Sequence, residues 1–345
     1  MLSIIENLKE SRNLADQELI LLIKSSTFED ELFYTADQVR KSIYGTDVYI
    51  RGLMEITNYC QNNCYYCGIR NENSHVQRYR LCNEEILDCC THGYHLGFRT
   101  FVLQGGEDNF FKKELMSEII TGIKSQFSDC AITLSLGERS MHTYQDWFKA
   151  GADRYLLRHE TKNIHHYQLL HPKNMISENR QKCLWGLKQI GFQVGSGFMV
   201  GTPYQTTEHI VEDLRFLQKL QPDMIGIGPY ITHQNTPLHN FPNGDFHTCL
   251  RLIAILRLMF PFALIPATTA LGTIDPQGRE MGIKAGANVV MPNLTPVKYR
   301  KHYELYDHKI SSHEEAAEGI RQLELRIKDI GYQIVVDIGH VKRES

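Results

Sequence analysis

From Leu53 onward the chain repeats one pattern: a short apolar run, a polar or glycine-rich stop, then a longer amphipathic stretch. Alternation of that kind is the signature of repeated strand–helix units and a parallel sheet. Eight runs qualify as strands: "GLMEIT" (52–57), "TFVLQG" (100–105), "AITLSL" (131–136), "RYLLRH" (154–159), "QVGSGFMVG" (193–201), "MIGIGP" (224–229), "ALIPAT" (263–268) and "NVVMPN" (288–293). Helical stretches such as "KKELMSEIITGIKSQF", "TTEHIVEDLRFLQKL" and "FHTCLRLIAILRLMF" separate them. Eight units in roughly 250 residues predict an α/β fold, a complete (β/α)8 TIM barrel. A doubly wound open sheet is the competing layout; count and length favour the barrel.

The first fifty residues read as helices with no strand, and "FYTADQVRKSIYG" ends at Gly45, a helix stop. No linker rich in Pro, Gly or Ser follows. The expected organisation is a helical N-terminal extension over 1–50 and one barrel domain over 51–345, whose tail forms a closing helix and a short extended segment. Polar and glycine-rich residues gather where the predicted strands end: "TNYC", "QGGED", "LGERS", "RHET", "VGTP", "GPYITH", "ATTALG" and "MPNLTP". In TIM barrels that rim carries the chemistry. An enzyme is expected.

The formal net charge of −3 gives no reason to expect a nucleic-acid surface. No apolar run reaches the length of a membrane span. The opening "MLSIIENLKESRNLADQELI" carries acids and amides every few residues, which is wrong for a signal peptide. A cytoplasmic protein is the expectation. Its nine cysteines then stay reduced and form no disulfide framework.

Three of them crowd into "NYCQNNCYYCGIR", as Cys60, Cys64 and Cys67. A zinc site normally takes four protein ligands, or three with an open position, and no second paired motif supplies the rest. A thioredoxin-like pair of Cys64 and Cys67 leaves Cys60 without a role. A four-iron cubane fits better: it normally takes four thiolates, and three from one loop leave one iron open for a small molecule.

The spacing Cys60, Cys64, Tyr66, Cys67 after the first strand resembles the signature of the radical S-adenosylmethionine (SAM) enzymes. That resemblance implies one 4Fe–4S cluster and SAM as cofactors, the open iron chelating the methionine moiety. One electron then cleaves the cofactor to a 5′-deoxyadenosyl radical. Further matches follow in order. "LQGGED" resembles the glycine–glycine–glutamate motif, so Gly105, Gly106 and Glu107 would meet the methionine amino group. "GSGFMVG", ending at Gly201, resembles the segment that supports adenine, with Tyr66 against the same ring.

Longer blocks narrow the resemblance. "GERS" (137–140), "GADRYLLRHET" (151–161), "GIGPYITHQNTPL" (226–238), "IPATTALGTIDPQGRE" (265–280) and "GANVVMPNLTPVKYRKHYELY" (286–306) look like the HydE family of FeFe-hydrogenase maturases. By that likeness Arg158, Glu160 and Arg180 bind the SAM carboxylate and amino groups; a guanidinium suits a carboxylate bidentately. Thr268, Thr269, Met224, Met291 and Tyr306 line the substrate cavity. The implied work is hydrogenase cofactor assembly on a small organometallic iron–cysteine precursor, the radical attacking the cysteine sulfur. A reductant such as a ferredoxin or flavodoxin and other hydrogenase maturases are the implied partners.

Two other readings remain beside it. Methylornithine synthase and biotin synthase share the barrel and cysteine spacing, so an amino-acid substrate is one; a non-catalytic iron–sulfur carrier is the other. A second cluster site, which some HydE relatives carry near the C-terminus, is not expected, since no cysteine follows Cys249 and Ser311 and Ser312 occupy that region. Cys89, Cys90, Cys183 and Cys249 read as small buried helix residues, and Cys82 and Cys130 as incidental. Among sixteen histidines, His159 and His233 stand at strand ends.

Overall fold

The computed structural model describes residues 2–310 and 316–343. Three helices open it: α1 (Leu2–Ser11), α2 (Asp16–Lys24) and α3 (Glu29–Tyr44). Glu29, Asp30 and Glu31 occupy the first turn of α3, where carboxylates suit the positive end of the helix dipole. Gly45 ends it at φ 62°, a conformation that glycine adopts without strain.

Eleven strands follow among the described residues: β1 (Asp47–Ile50), β2 (Gly52–Thr57), β3 (Thr100–Gly105), β4 (Ala131–Ser135), β5 (Arg154–Leu156), β6 (Gln193–Ser196), β7 (Met199–Val200), β8 (Met224–Ile225), β9 (Gly228–Pro229), β10 (Val289–Val290) and β11 (Gln333–Val335). Six form one parallel sheet in the order β2-β3-β4-β5-β6-β8. β7 pairs with β9, and β1 lies between β10 and β11, all parallel. Helices such as Asn83–His95, Lys113–Gln126 and Ser177–Ile190 connect consecutive strands. The α/β fold with a parallel sheet is as the sequence implies.

Three local expectations are corrected. β1 lies inside the stretch read as strand-free; its partners are hundreds of residues away, so no local pattern announces it. The runs 193–201 and 224–229 each divide into two short strands. The division comes where their backbones crowd: a Cβ on Gly197 would stand 2.0 Å from the Gly226 carbonyl oxygen. The run 263–268 makes only single bridges, Met224 to Leu264 and Pro266 to Val289, because Pro266 brings no N–H to a ladder. A further bridge joins Leu53 to Asn293, with Leu53 N donating to Pro292 O at 2.9 Å.

The helix Phe246–Met259 is buried from Cys249 to its end and fills the space between α3 and the sheet. Its two arginines are satisfied inside. Arg251 Nε donates to Ile23 O at 2.8 Å and its Nη1 pairs with Glu29, tying α2 and α3 to the body. Arg257 donates to Gly286 O, Pro261 O and Asn288 Oδ1. Among the described residues no helix is long and apolar enough to cross a membrane. The tail forms the helix Ala316–Asp329 and then β11 against β1, whereas Ser311 and Ser312 lie outside the described residues.

Candidate active site

The parallel strands place the C-terminal ends of β2 through β6 on one rim, and the cysteine loop leaves β2 there. Its path is fixed by polar contacts rather than by secondary structure. The Arg78 guanidinium donates to five carbonyls of the loop: Asn58 at 2.5 Å, Ile69 at 2.8 Å, Arg70 at 2.6 Å, Asn71 at 3.5 Å and Asn73 at 3.2 Å. Gln61 N donates to Glu107 O, and Gly68 N to Leu305 O. Gly68 is pressed against His233, where a Cβ would stand 2.4 Å from the ring. Cys60, Cys64 and Cys67 are partly buried and joined by no disulfide, each within electrostatic reach of another. Burial pushes all three thiols up, Cys67 to about 12.

Three more elements deliver charged groups to this loop. β3 ends at Gly105, and Glu107 follows, buried, accepting from Glu138 N at 3.0 Å and from Gln61 Nε2 at 3.4 Å. Arg180, on the helix Ser177–Ile190, pairs through Nη2 with Glu107 at 3.4 Å and through Nε with Glu138 at 3.0 Å. Its Nη1 donates to Arg158 O at 3.0 Å. Burial opposes the Arg180 charge, but Tyr167, Glu107 and Glu138 outweigh it and hold its pKa well above the ordinary value. Burial raises the Glu138 carboxyl.

The turn after β5 carries Arg158 and Glu160, joined at 3.2 Å. Glu160 adopts φ 66°, uncommon for a residue with a side chain, and strain of this kind collects at functional sites. Its Oε2 is buried and meets no hydrogen-bond partner among the described residues. Behind the turn His159 bridges Ser196 Oγ at 3.0 Å and Asp213 Oδ1 at 3.2 Å, wholly buried, a supporting role. His166 is likewise held between Thr161 Oγ1 and Pro203 O, and burial lowers it to about 4. It stays neutral at pH 7. A depressed native pKa gives stability that is present above about pH 6.5 and lost as pH falls toward 4. The thermal midpoint is expected to hold from pH 8 to 6.5 and then fall, and His166→Gln to flatten that descent; calorimetry across this range checks it.

Tyr66 is half-buried, its hydroxyl 3.2 Å from His171 Nε2. Gly201, at φ 76°, approaches Gly244 so closely that a Cβ would stand 2.4 Å from its Cα. Thr268 begins the helix Thr269–Ile274 and keeps a buried Oγ1 without partner among the described residues; Thr269 is next to it. Burial pushes Tyr306 to about 12. Met224 and Met291 lie apart from these groups. Met224 opens β8, and both pack with Tyr44, Tyr49, Leu264 and Val289, Met224 Sδ accepting from Arg51 Nη1 at 3.0 Å. Glu138, Arg78 and Tyr167 were not singled out in the sequence. Glu138 sits inside "GERS", where its place after a strand was the available signal.

The donor set suits an iron–sulfur cubane. Among the described residues no three Cys, His, Asp or Glu side chains converge on a single-ion site. A cubane asks instead for one thiolate on each of three separate irons, and three thiols on one constrained loop match that. Soft sulfur ligands suit iron–sulfur chemistry. Beside the loop, Glu160 Oε2 is a buried polar atom without a hydrogen-bond partner among the described residues, and Arg180 carries a buried guanidinium.

A family model described as the Radical SAM superfamily matches residues 54–217. The chain is 46% identical over 290 residues, 84% of its length and 82% of the relative's, to the FeFe hydrogenase maturase subunit HydE of Thermotoga maritima. It is 28% identical over 95% of its length to 3-methylornithine synthase of Methanosarcina acetivorans, covering 92% of that protein. Among solved structures, methylornithine synthase superposes with a TM-score of 0.84 at 26% identity, over 96% of this chain and 97% of that one. The hydrogenase maturase HydG shares the fold, with a TM-score of 0.82 at 21% identity over 97% of this chain and 76% of that one. With a cysteine loop of matching spacing on the rim of such a fold, the chain belongs to the radical SAM superfamily and, within it, to the HydE maturase family, as a radical SAM enzyme with a 4Fe–4S cluster and SAM as cofactors.

Proposed function

We propose that this enzyme acts in FeFe-hydrogenase cofactor assembly on a small iron–cysteine precursor, inside a complete (β/α)8 barrel. The single bridges at Met224–Leu264, Pro266–Val289 and Leu53–Asn293 support closure, since they link β8 back to β2 through 263–268 and β10. Residues 1–50 would then be an extension and 51–345 the barrel with its closing helix. A cytoplasmic setting, a ferredoxin- or flavodoxin-like reductant and other maturases as partners belong to the same reading, and nucleic acid does not.

The observation that carries it is the meeting of Glu107, Glu160 and Arg180 beside the cysteine loop. Cys60, Cys64 and Cys67 would hold the cluster by three irons. When bound, the reduced cluster supplies the electron that cleaves SAM to the 5′-deoxyadenosyl radical. Glu107, with Gly105 and Gly106, receives the methionine amino group; Arg180 meets the carboxylate, and the Arg158–Glu160 pair fixes the remaining polar edge. Tyr66 and the segment ending at Gly201 flank the adenine. Thr268, Thr269 and Tyr306 offer hydroxyls to the substrate. Met224 and Met291 act as packing on this reading.

A reconstituted, reduced sample is expected to show a cubane paramagnetic resonance signal that changes when SAM is added, with 5′-deoxyadenosine appearing. Glu160→Gln is expected to weaken SAM binding by about tenfold or more, the loss of a charge-assisted hydrogen bond. A signal indifferent to SAM overturns the reading. The near full-length likeness to methylornithine synthase favours a second reading, an amino-acid substrate. Free amino acids that stimulate 5′-deoxyadenosine release, where the iron–cysteine precursor does not, would establish it.

A further inference from the structure

β4 ends at Ser135, and the turn that follows, Gly137 to Arg139, is held from behind. Gly137 O accepts from the hydroxyls of Tyr144 at 3.1 Å and Tyr155 at 2.7 Å, both on fully buried side chains. Arg139 N donates to the Tyr144 hydroxyl at 2.9 Å, and Arg139 Nη2 to Asp108 O at 3.0 Å. The residue between these two anchored neighbours is Glu138.

Glu138 meets the site with both its main chain and its side chain. Its N–H donates to Glu107 Oε1 at 3.0 Å, and its own Oε1 accepts from Arg180 Nε at 3.0 Å. The turn closes tightly on Glu107: a Cβ on Gly137 would stand 1.9 Å from Glu107 Cγ, so the carboxylate comes this near only to a glycine. Arg180 shows what the arrangement does. A guanidinium carries five N–H donors. Three are used among the described residues, Nε by Glu138, Nη1 by Arg158 O and Nη2 by Glu107. One N–H on each Nη is left, the number that a bidentate carboxylate takes. Without the Glu138 side chain only the two Nη tethers would remain. A long side chain that is not held in place must be ordered when its ligand binds, and affinity falls accordingly.

We propose that Glu138 is a positioning residue for SAM: through its bond to Nε it holds the Arg180 guanidinium in the orientation that receives the methionine carboxylate, without touching the cofactor itself. This rests on the reading of Arg180 as the carboxylate's partner. The effect is confined to ligands that carry the amino-acid end of the cofactor.

Glu138→Ala tests it on cluster-reconstituted protein. Iron and sulfide per chain are expected at wild-type levels. The dissociation constant for SAM, read by equilibrium dialysis, is expected to rise about tenfold, as for one charge-assisted hydrogen bond. That for S-adenosylhomocysteine is expected to rise equally. 5′-Methylthioadenosine, which lacks the amino-acid end, is expected to bind as it does to wild type. Glu138→Gln keeps an acceptor oxygen for Arg180 Nε and is expected to recover most of the loss. Unchanged SAM affinity in Glu138→Ala overturns the proposal, and if Arg180→Ala weakens SAM binding in the same assay the functional reading stands without it. Equal weakening of 5′-methylthioadenosine also overturns it, since the residue would then shape the whole pocket. So does lost iron, which would assign Glu138 to the cysteine loop. So does the absence of recovery with glutamine, which would assign the effect to charge rather than to the bond. Wild-type SAM affinity in Arg180→Ala overturns both the reading of Arg180 and the proposal.

Discussion

Cys64→Ser is expected to yield a folded chain that holds no stable cluster and releases no 5′-deoxyadenosine. The argument is one of ligand number and softness. Three thiols share one loop, and no nearby Cys, His or acid among the described residues completes a single-ion site that could take over. Losing one of three leaves a cubane with two protein ligands. A serine hydroxyl is a hard, weakly acidic replacement that suits iron–sulfur clusters poorly. Burial sharpens the contrast, since it already holds the Cys64 thiol well above its ordinary pKa and an alkoxide there would be costlier still. The thiolate form is reached when the cluster's iron supplies positive charge.

Iron and sulfide per chain are expected to fall to background in Cys64→Ser, while Cys89→Ser keeps both. Cys89 lies buried in the helix Asn83–His95, so its loss is felt in packing alone. The thermal midpoint of the cofactor-free Cys64 variant is expected to stay within a few degrees of wild type. Full iron content in that variant would sink the assignment of the three cysteines.

How far the sequence reached depended on how local each determinant is. The strands β2 and β3 coincide with the runs 52–57 and 100–105 because continuous apolar stretches bounded by turns carry their own limits. The cysteine loop was equally plain, since its three cysteines are neighbours in the chain. What stayed hidden depends on contacts between distant segments. The four residues of β1 make sense only against β10 and β11. The breaks after Ser196 and Ile225 come from two backbones meeting at Gly197 and Gly226, a clash no single stretch reveals.

The site divides the same way. Glu107, Glu160 and Arg180 were legible through short motifs, and the fold brings them together from three different elements. Glu138 was not, although the fold pairs it with Arg180, because strand ends are rich in acids that do nothing. Arg78 was invisible for a different reason: its role is to collect main-chain carbonyls, which have no sequence signature. Met224 is the reverse case: the family likeness put it in the substrate cavity, whereas its side chain packs around Arg51 and Tyr49.

Gly106→Ala is expected to abolish cluster incorporation without touching a ligand. A Cβ at this position would stand 2.2 Å from Tyr59 O and 2.7 Å from Cys60 Cβ. Neither neighbour yields cheaply. Tyr59 N donates to Thr57 Oγ1 at 3.1 Å, and the Arg80 guanidinium lies 3.8 Å over the Tyr59 ring while anchored to Asp108. On the other side, Gln61 N is bonded to Glu107 O. The added methyl therefore displaces Cys60 relative to Cys64 and Cys67, and a cubane tolerates little error in ligand position. Overpacking of this kind costs about 1–3 kcal/mol, so the thermal midpoint should fall as well. Gly122→Ala supplies the opposite sign. Gly122 sits inside the helix Lys113–Gln126, and its Cβ would touch only Leu87, at 3.7 Å and beyond. It is expected to stabilise by up to about 1 kcal/mol through helix propensity, with iron content unchanged. If Gly106→Ala instead kept wild-type iron and melting temperature, the close approach of β3 to the cysteine loop would not govern cluster binding.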